Sequence, residues 1–260
     1  MEKSVQLSRI STHAPASLQK KSVKKETRKL KKAIARLQNI LYAEGRHSLL
    51  VVLQGMDASG KDGAIRHVFN RVNPQGVQVV SFKVPTPEEA AHDFLWRIHA
   101  HAPACGMIQI FNRSHYEDVL ITRVHGWIDD ATARRRMQHI NHFEQLLLDH
   151  QTTILKFYLH ISREEQDKRL EERLKDPEKR WKYSPSDLQE ARKWHDYLHY
   201  YEEVFDTCSP DIPWTIVPAD QNWYKAYVIA DAVHRALADM HLRYPRRRHF
   251  TSSKHTSHQS

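Results

Sequence analysis

Three of the chain's seven glycines fall within nine residues, Gly55-Met56-Asp57-Ala58-Ser59-Gly60-Lys61-Asp62-Gly63, directly behind the apolar run Leu49 to Leu53. Glycines so spaced permit a sharp turn and let backbone N–H groups converge on one point. A helix starting there adds the positive end of its dipole. Lys61 adds a point charge. Such a loop cradles phosphate, and Gly55 with Gly60-Lys61 has Walker A spacing, with Ala58, Ser59 and Gly63 completing the contact set. The Ser or Thr that normally follows the lysine and touches Mg²⁺ is missing, because Asp62 stands there. Asp57 offers a substitute, since a carboxylate inside the loop can hold a hard divalent ion. A glycine turn that caps a helix and binds nothing is the competing explanation; the strand before it and the lysine inside it argue against that.

A second group follows the apolar run Met107 to Phe111: Asn112-Arg113-Ser114-His115-Tyr116-Glu117-Asp118. Ligands collect at the carboxyl ends of parallel strands, and this is the Walker B position. Arg113 can clamp phosphate oxygens in a bidentate fork, while Glu117 and Asp118 could hold Mg²⁺ or orient an acceptor phosphate. Ser114, His115 and Asp118 also suggest a hydrolase triad, but adjacency in sequence does not create triad geometry and no glycines flank the serine as a nucleophile elbow would need. His115 reads as a supporting or packing residue.

A third segment, 163 to 182, holds eight basic and seven acidic residues with almost no apolar stripe. It is either a solvated helix laced with i,i+4 ion pairs or, beside a phosphate site, a mobile lid running to about 187. A lid's arginines would close over the phosphates and expel water, and Lys182 at the end of the segment would add a phosphate contact. His195 and His199 have helical i,i+4 spacing but lack the Glu and third ligand of a zinc motif, so they read as surface. The aromatic series Trp194, Tyr197, Tyr200, Tyr201 and Phe205 reads as core or subunit contact.

These groups need a scaffold. Short apolar runs at 49–53, 77–84, 107–111, 153–161 and 214–217 alternate with helical patterns at 61–72, 87–101, 131–150, 185–207 and 221–241, which predicts a five-stranded parallel sheet covered on both faces. Leu18, Val23, Leu30, Ile34, Leu37 and Leu41 predict an amphipathic helix over 18–43. Its other face carries Lys20, Lys21, Lys24, Lys25, Arg28, Lys29, Lys31, Lys32 and Arg36, either a solvated face or a polyanion track. Residues 1–17 and the basic tail 243–260 have no apolar period and are expected to be disordered around one domain at 18–242.

The net charge of +9 resides in these extensions: residues 41–242 hold 24 basic and 29 acidic residues. An anion entering the domain must therefore be met by locally placed cations, and no nucleic-acid partner is expected. No apolar run suits a membrane span or a signal core, and two cysteines, Cys105 and Cys208, make no disulfide framework. The chain reads as a cytoplasmic protein with reduced structural cysteines.

Taken together, Gly55 to Gly63, Phe111-Asn-Arg-Ser-His-Tyr-Glu-Asp-Val-Leu120 and the Arg169-Leu-Glu-Glu-Arg173 segment resemble the second family of polyphosphate kinases over roughly residues 25 to 243. The resemblance implies an α/β P-loop kinase fold, thymidylate-kinase-like, with a helical lid. It also implies reversible, Mg²⁺-dependent phosphoryl transfer between inorganic polyphosphate and AMP, ADP or ATP, with two ions, guanine nucleotides within reach and a homodimer or homotetramer as the assembly. Asp57 and Asp118 would be metal or catalytic carboxylates, Lys61 and Arg113 phosphate ligands, and Arg169 and Arg173 lid cations. Asp62 would belong to the loop itself. The family often has Asp where this chain has Asn112, which then serves as a substrate contact. His115-Tyr-Glu-Asp118 is similar to the subgroup that accepts both nucleoside mono- and diphosphates, which makes Glu117 the candidate specificity residue. An ATP-dependent kinase of the same fold and a polyanion-binding protein with a vestigial P-loop are the alternatives.

Overall fold

The computed structural model describes residues 4–178, 180–182, 185–208 and 211–245. Five strands, β1 (Ser48–Gln54), β2 (Val77–Ser81), β3 (Ile108–Asn112), β4 (Thr152–His160) and β5 (Trp214–Pro218), form one parallel sheet in the order β2-β3-β1-β4-β5. The helices are α1 (Lys20–Glu44), α2 (Lys61–Phe69), α3 (Pro87–Ala91), α4 (Trp96–His99), α5 (Ile121–Val124), α6 (Asp130–Asp149), α7 (Arg163–Lys175), α8 (Pro185–Arg192), α9 (Trp194–Thr207) and α10 (Asn222–Asp239). Every residue of β1 is buried, as a central parallel strand covered on both faces requires. Leu50 and Val52 point into a core closed by α6 and α9, while Leu49, Val51 and Leu53 point into a second closed by α1, α2 and α10. The expected sheet is thus present, and β1 delivers its carboxyl end between β3 and β4.

Along α1, Val23, Leu30, Ile34 and Leu41 are buried, and Thr27 and Gln38 complete the stripe. Thr27 can do so because its hydroxyl donates to the Val23 carbonyl, and Gln38 because its side-chain oxygen accepts the Asn73 N–H. Lys20, Lys21, Lys24, Lys25, Arg28, Lys29, Lys32 and Arg36 are exposed. Two expected helices are each split in two: 87–101 breaks between Ala91 and Trp96, and 185–207 breaks at Lys193. β2 ends at Ser81 rather than 84; Val84 is exposed.

The expectation of a disordered N-terminus fails over residues 4–17, and residues 1–3 lie outside the described residues. Leu7 is fully buried in the core of α6 and α9. The Val5 and Leu7 N–H groups donate to Asp206 and Glu202, His160 Nε2 lies 3.2 Å from the carbonyls of Leu7 and Ile10, and the Thr12 hydroxyl donates to Asp220. Leu7, with partly buried Val5 and Ile10 beside it, and side-chain partners distant in the chain hold the segment, and neither leaves a periodic signature. The tail expected to be disordered falls, beyond residue 245, outside the described residues.

Candidate active site

The loop between β1 and α2 has the backbone shape that an anion cradle requires. Gly55 has φ 149°, and a Cβ there would meet the Leu159 carbonyl and Ser59 Oγ, each at 2.9 Å. Gly60 is left-handed at φ 89°, and a Cβ there would lie 2.3 Å from Lys225 Nζ. Both positions therefore demand glycine. Gly63 belongs to the first turn of α2 and has open space around its Cβ position, so neither conformation nor packing requires glycine there. No side chain caps α2, which leaves first-turn N–H groups for an anion, and Asp62 in that turn accepts a 2.8 Å hydrogen bond from Asn112 Nδ2. Asn112 also donates to Ser81 Oγ, joining the ends of β2 and β3 to the start of α2.

Lys61 is buried, and its ammonium donates to the carbonyls of Gly55 (2.8 Å) and Met56 (3.2 Å). Burial and the nearby Arg113 cation lower its pKa to about 8, against the opposing pull of Asp57 and Glu117. Ser59 is fully buried, its hydroxyl without a hydrogen-bond partner among the described residues.

Arg113 is the hub of the site. Its backbone is left-handed at φ 63°, and its N–H donates to the Leu53 carbonyl. Its guanidinium bridges two carboxylates, pairing with Asp57 of the loop and, at 3.2 Å, with Glu117. Burial pushes the Asp57 carboxyl up, but Arg113 and Lys61 outweigh it and hold its pKa below the ordinary value. Gln54 Nε2 donates to the second oxygen of Glu117 (3.0 Å) and Gln166 Nε2 to the Asp57 carbonyl (3.0 Å). Asp57, Lys61, Arg113 and Glu117 thus form one cluster at the carboxyl ends of β1 and β3.

Asp118 does not join it. Residues 115–119 form a 3₁₀ turn, in which neighbouring side chains diverge by roughly 120°. Asp118 consequently leaves the Asp57 cavity and lines a separate opening with Arg97, Arg136 and Trp127. Its carboxylate lies 3.6 Å from Arg97 Nη2, and its carbonyl accepts from Arg136. Burial raises its pKa against the pull of both arginines. Asp118, expected with Asp57 as a metal or catalytic carboxylate, thus lies apart from it, and the carboxylate that shares Arg113 with Asp57 is Glu117. The triad alternative lacks its geometry, because Ser114 caps the 3₁₀ turn at the Tyr116 N–H while His115 faces Glu144.

The lid cations divide. Arg169, midway along α7, donates to the carbonyls of Ala58, Ser59, Ala219 and Asp220 and to Glu165, and so holds the back of the loop. Arg173 pairs with Asp187 at 2.7 Å, tying α7 to α8. Lys182 ends the 3₁₀ turn Arg180–Lys182, and its side chain lies outside the described residues.

Several site residues escape the sequence reading. Trp194, Tyr197 and partly exposed Glu190 close a cavity over Gly55, Asp57, Arg113 and Glu117, so these two aromatics face the site as well as the core. His195 and His199, on the same helix, are exposed. Beneath the 113–118 turn, Glu144, Lys156 and the Tyr116 hydroxyl form a buried cluster, with Glu144 2.7 Å from both partners. Lys225 is 1 % exposed and donates to the Ser59 carbonyl. It occupies the 225–229–233–237 stripe of α10, otherwise Ile, Val and Leu, and that interruption is the signal by which it was findable. Of the cysteines, Cys208 is buried and Cys105 exposed, so only the former has a packing role.

With this geometry established, comparison with known proteins is decisive. The family model described as polyphosphate kinase 2 (PPK2) matches residues 17–245. The chain belongs to this family. An AMP/ADP-polyphosphate phosphotransferase of Meiothermus ruber is 49% identical over 217 residues, covering 83% of this chain and 81% of that protein. An ADP-polyphosphate phosphotransferase of Rhodopseudomonas palustris is 43% identical over 222 residues, covering 80% and 77%. Among solved structures, polyphosphate kinase 2 from Arthrobacter aurescens TC1 superposes with a TM-score of 0.91 at 42% identity, covering 95% of this chain and 90% of that one. The expected PPK2 membership and P-loop α/β fold are therefore correct. Among the described residues no helix is long and apolar enough to cross a membrane.

Proposed function

We propose that this enzyme transfers phosphoryl groups reversibly between inorganic polyphosphate and adenine nucleotides, converting AMP to ADP and ADP to ATP. The observation that carries the reading is the convergence of Asp57, Arg113 and Glu117 on the uncapped N-terminus of α2. A relative at 49% identity named for both AMP and ADP supports the double acceptor range.

Donor and acceptor are both polyanions, so the site must offset their repulsion before in-line attack. Phosphoryl transfer in this family is in general Mg²⁺-dependent, and the residues fit that ion. Two carboxylates, one held ionised, already converge on a single cation, the Arg113 guanidinium, and hard oxygen ligands suit Mg²⁺. Asp57 and Glu117 would hold it, and when bound it would neutralise charge on the transferring phosphoryl group. A second ion is expected from the charge of the two substrates. Lys61 exchanges the Gly55 and Met56 carbonyls for phosphate oxygens, the first-turn N–H groups of α2 receive the donor's terminal phosphate, and Arg113 clamps the phosphate in flight. The transfer is direct, with no covalent enzyme intermediate.

The cavity over Asp57 and Arg113 encloses only about 20 Å³, roughly one water's worth of space. Glu190, Trp194 and Tyr197, on α8 and α9 above the loop, must move aside to admit substrate and return to exclude water, which is the work of a lid, while Arg169 of α7 stays with the loop. Beyond the site, the exposed lysines and arginines of α1 provide a track for long polyphosphate, and the enzyme works as a homodimer or homotetramer. The reading is tested by incubating enzyme, Mg²⁺ and polyphosphate with AMP or ADP and no ATP. Formation of ADP and ATP supports it, and an absolute requirement for ATP would identify an ATP-dependent kinase of the same fold instead.

A further inference from the structure

Phosphate loops bind through N–H groups, and in a trans peptide the carbonyl of one residue points opposite to the N–H of the next. Whatever fixes the carbonyl therefore aims the amide. In this loop the Ser59 carbonyl accepts two charge-assisted hydrogen bonds, from Lys225 Nζ at 2.9 Å and from Arg169 Nη1 at 3.0 Å. Both cations lie behind the loop, on the side where a Gly60 Cβ would project and opposite the Gly60 N–H; that N–H has no acceptor among the described residues. Arg169 is anchored in turn by Glu165 and by the Ala219 and Asp220 carbonyls, so its position is fixed. Lys225 is buried on α10, with Ser59 as its acceptor.

We propose that Lys225 is a positioning residue of the phosphate loop: together with Arg169 it holds the Ser59 carbonyl outward, and so aims and polarises the Gly60 N–H toward the phosphate without touching phosphate itself. This rests on the polyphosphate reading of the site. Two cations on one carbonyl withdraw electron density from the amide and strengthen its N–H as a donor, as chained hydrogen bonds do in a low-dielectric interior. The arrangement also explains why position 60 excludes a side chain, since a Cβ would displace Lys225 from its acceptor.

The role is sensitive to pH. Burial, then Arg169 and Lys61, lower the Lys225 pKa to about 7, with Glu165 and Asp220 opposing. His67 of α2 also feels its charge. Charged below about pH 7, Lys225 polarises the loop; neutral above it, the polarisation fades.

Ser59-Gly60 is the sequence's one Ser-Gly pair, so full-length enzyme labelled with ¹³C-carbonyl serine and ¹⁵N-glycine gives one correlated signal for the Ser59 carbonyl and Gly60 amide. We expect that signal to titrate with a midpoint near pH 7 in the wild type and to be displaced and lack that transition in Lys225→Met. We also expect affinity for inorganic tripolyphosphate, measured by calorimetry at pH 6.5, to fall by about tenfold. Lys225→Met removes a buried charge, so its melting temperature should hold or rise. A weaker affinity with an unmoved Ser59–Gly60 signal would overturn the proposal, because Lys225 would then contact phosphate directly; unchanged affinity would also overturn it. Should Lys225→Met not fold, Lys225→Gln, which keeps a donor without the charge, takes its place, and an unmoved Ser59–Gly60 signal in it overturns the proposal. Wild-type enzyme that binds tripolyphosphate but makes no ADP from AMP would instead contradict the proposed reaction and leave the positioning role standing.

Discussion

Removing one member of the buried Glu144–Lys156 pair tests how the 113–118 turn is held. The two groups lie 2.7 Å apart, with side chains 3% and 1% exposed, and the Tyr116 hydroxyl donates to Glu144 while accepting from Lys156 at 3.0 Å. Lys156→Met keeps most of the side-chain volume but leaves a carboxylate in a site closed to water, which costs about 3–5 kcal/mol. For a chain of this size that corresponds to a fall in melting temperature of about 6–15 °C. Glu144→Leu in the same background removes the stranded charge, so the double variant should recover much of the loss, with a coupling of at least about 2 kcal/mol in a double-mutant cycle. Tyr116 adjoins Glu117, so Lys156→Met, assayed well below its melting point, should lower kcat/KM for AMP while tripolyphosphate affinity, set by the loop at α2, stays close to wild type. A melting shift below about 2 °C, or additive losses, would refute this account of the turn.

Three further outcomes follow from the site. The Lys61 pKa, lowered to about 8, means its charge is present below that pH and lost above it, so kcat/KM for polyphosphate should fall as pH rises through about 8; Lys61→Ala should lose about 100-fold or more and show no such step. Glu117→Asn, which removes a charge proposed to hold Mg²⁺, should slow phosphorylation of both acceptors but AMP by about tenfold more than ADP, measured by separating nucleotides after parallel reactions; equal loss on both acceptors would assign Glu117 to the chemistry alone. Leu7→Ala, which opens a cavity beneath the N-terminal segment, should cost about 2–5 kcal/mol in urea denaturation, and a cost near zero would show that the segment adds nothing to the fold.

The parts of this protein that the sequence made legible are those written in local terms. A glycine-rich turn behind an apolar strand, short apolar runs alternating with helical ones, and a heptad-like stripe on α1 each need only a window of residues. What escaped depends on contacts across the chain. Asp118 looked equivalent to Asp57 until the 3₁₀ turn sent it toward Arg97. Arg169 reads as a free lid cation, but four carbonyls from two loops fix it behind the phosphate loop. Leu7 stands with Val5 and Ile10 in a stretch too short to show a period, and its partners, Glu202 and the core of α6 and α9, lie far along the chain. Lys225 escaped although it breaks an apolar stripe of α10, because nothing local points to its acceptor, the Ser59 carbonyl.

The central claim is that Asp57, Lys61, Arg113 and Glu117 transfer phosphate from polyphosphate to nucleotides. Its most direct test is an ATP-free reaction containing purified enzyme, Mg²⁺, polyphosphate and AMP, followed by separation of products, with Arg113→Met alongside. ADP followed by ATP from the wild type, and loss of both by about 100-fold or more in Arg113→Met, is the predicted result. No ADP without added ATP, or an undiminished rate in Arg113→Met, would contradict it.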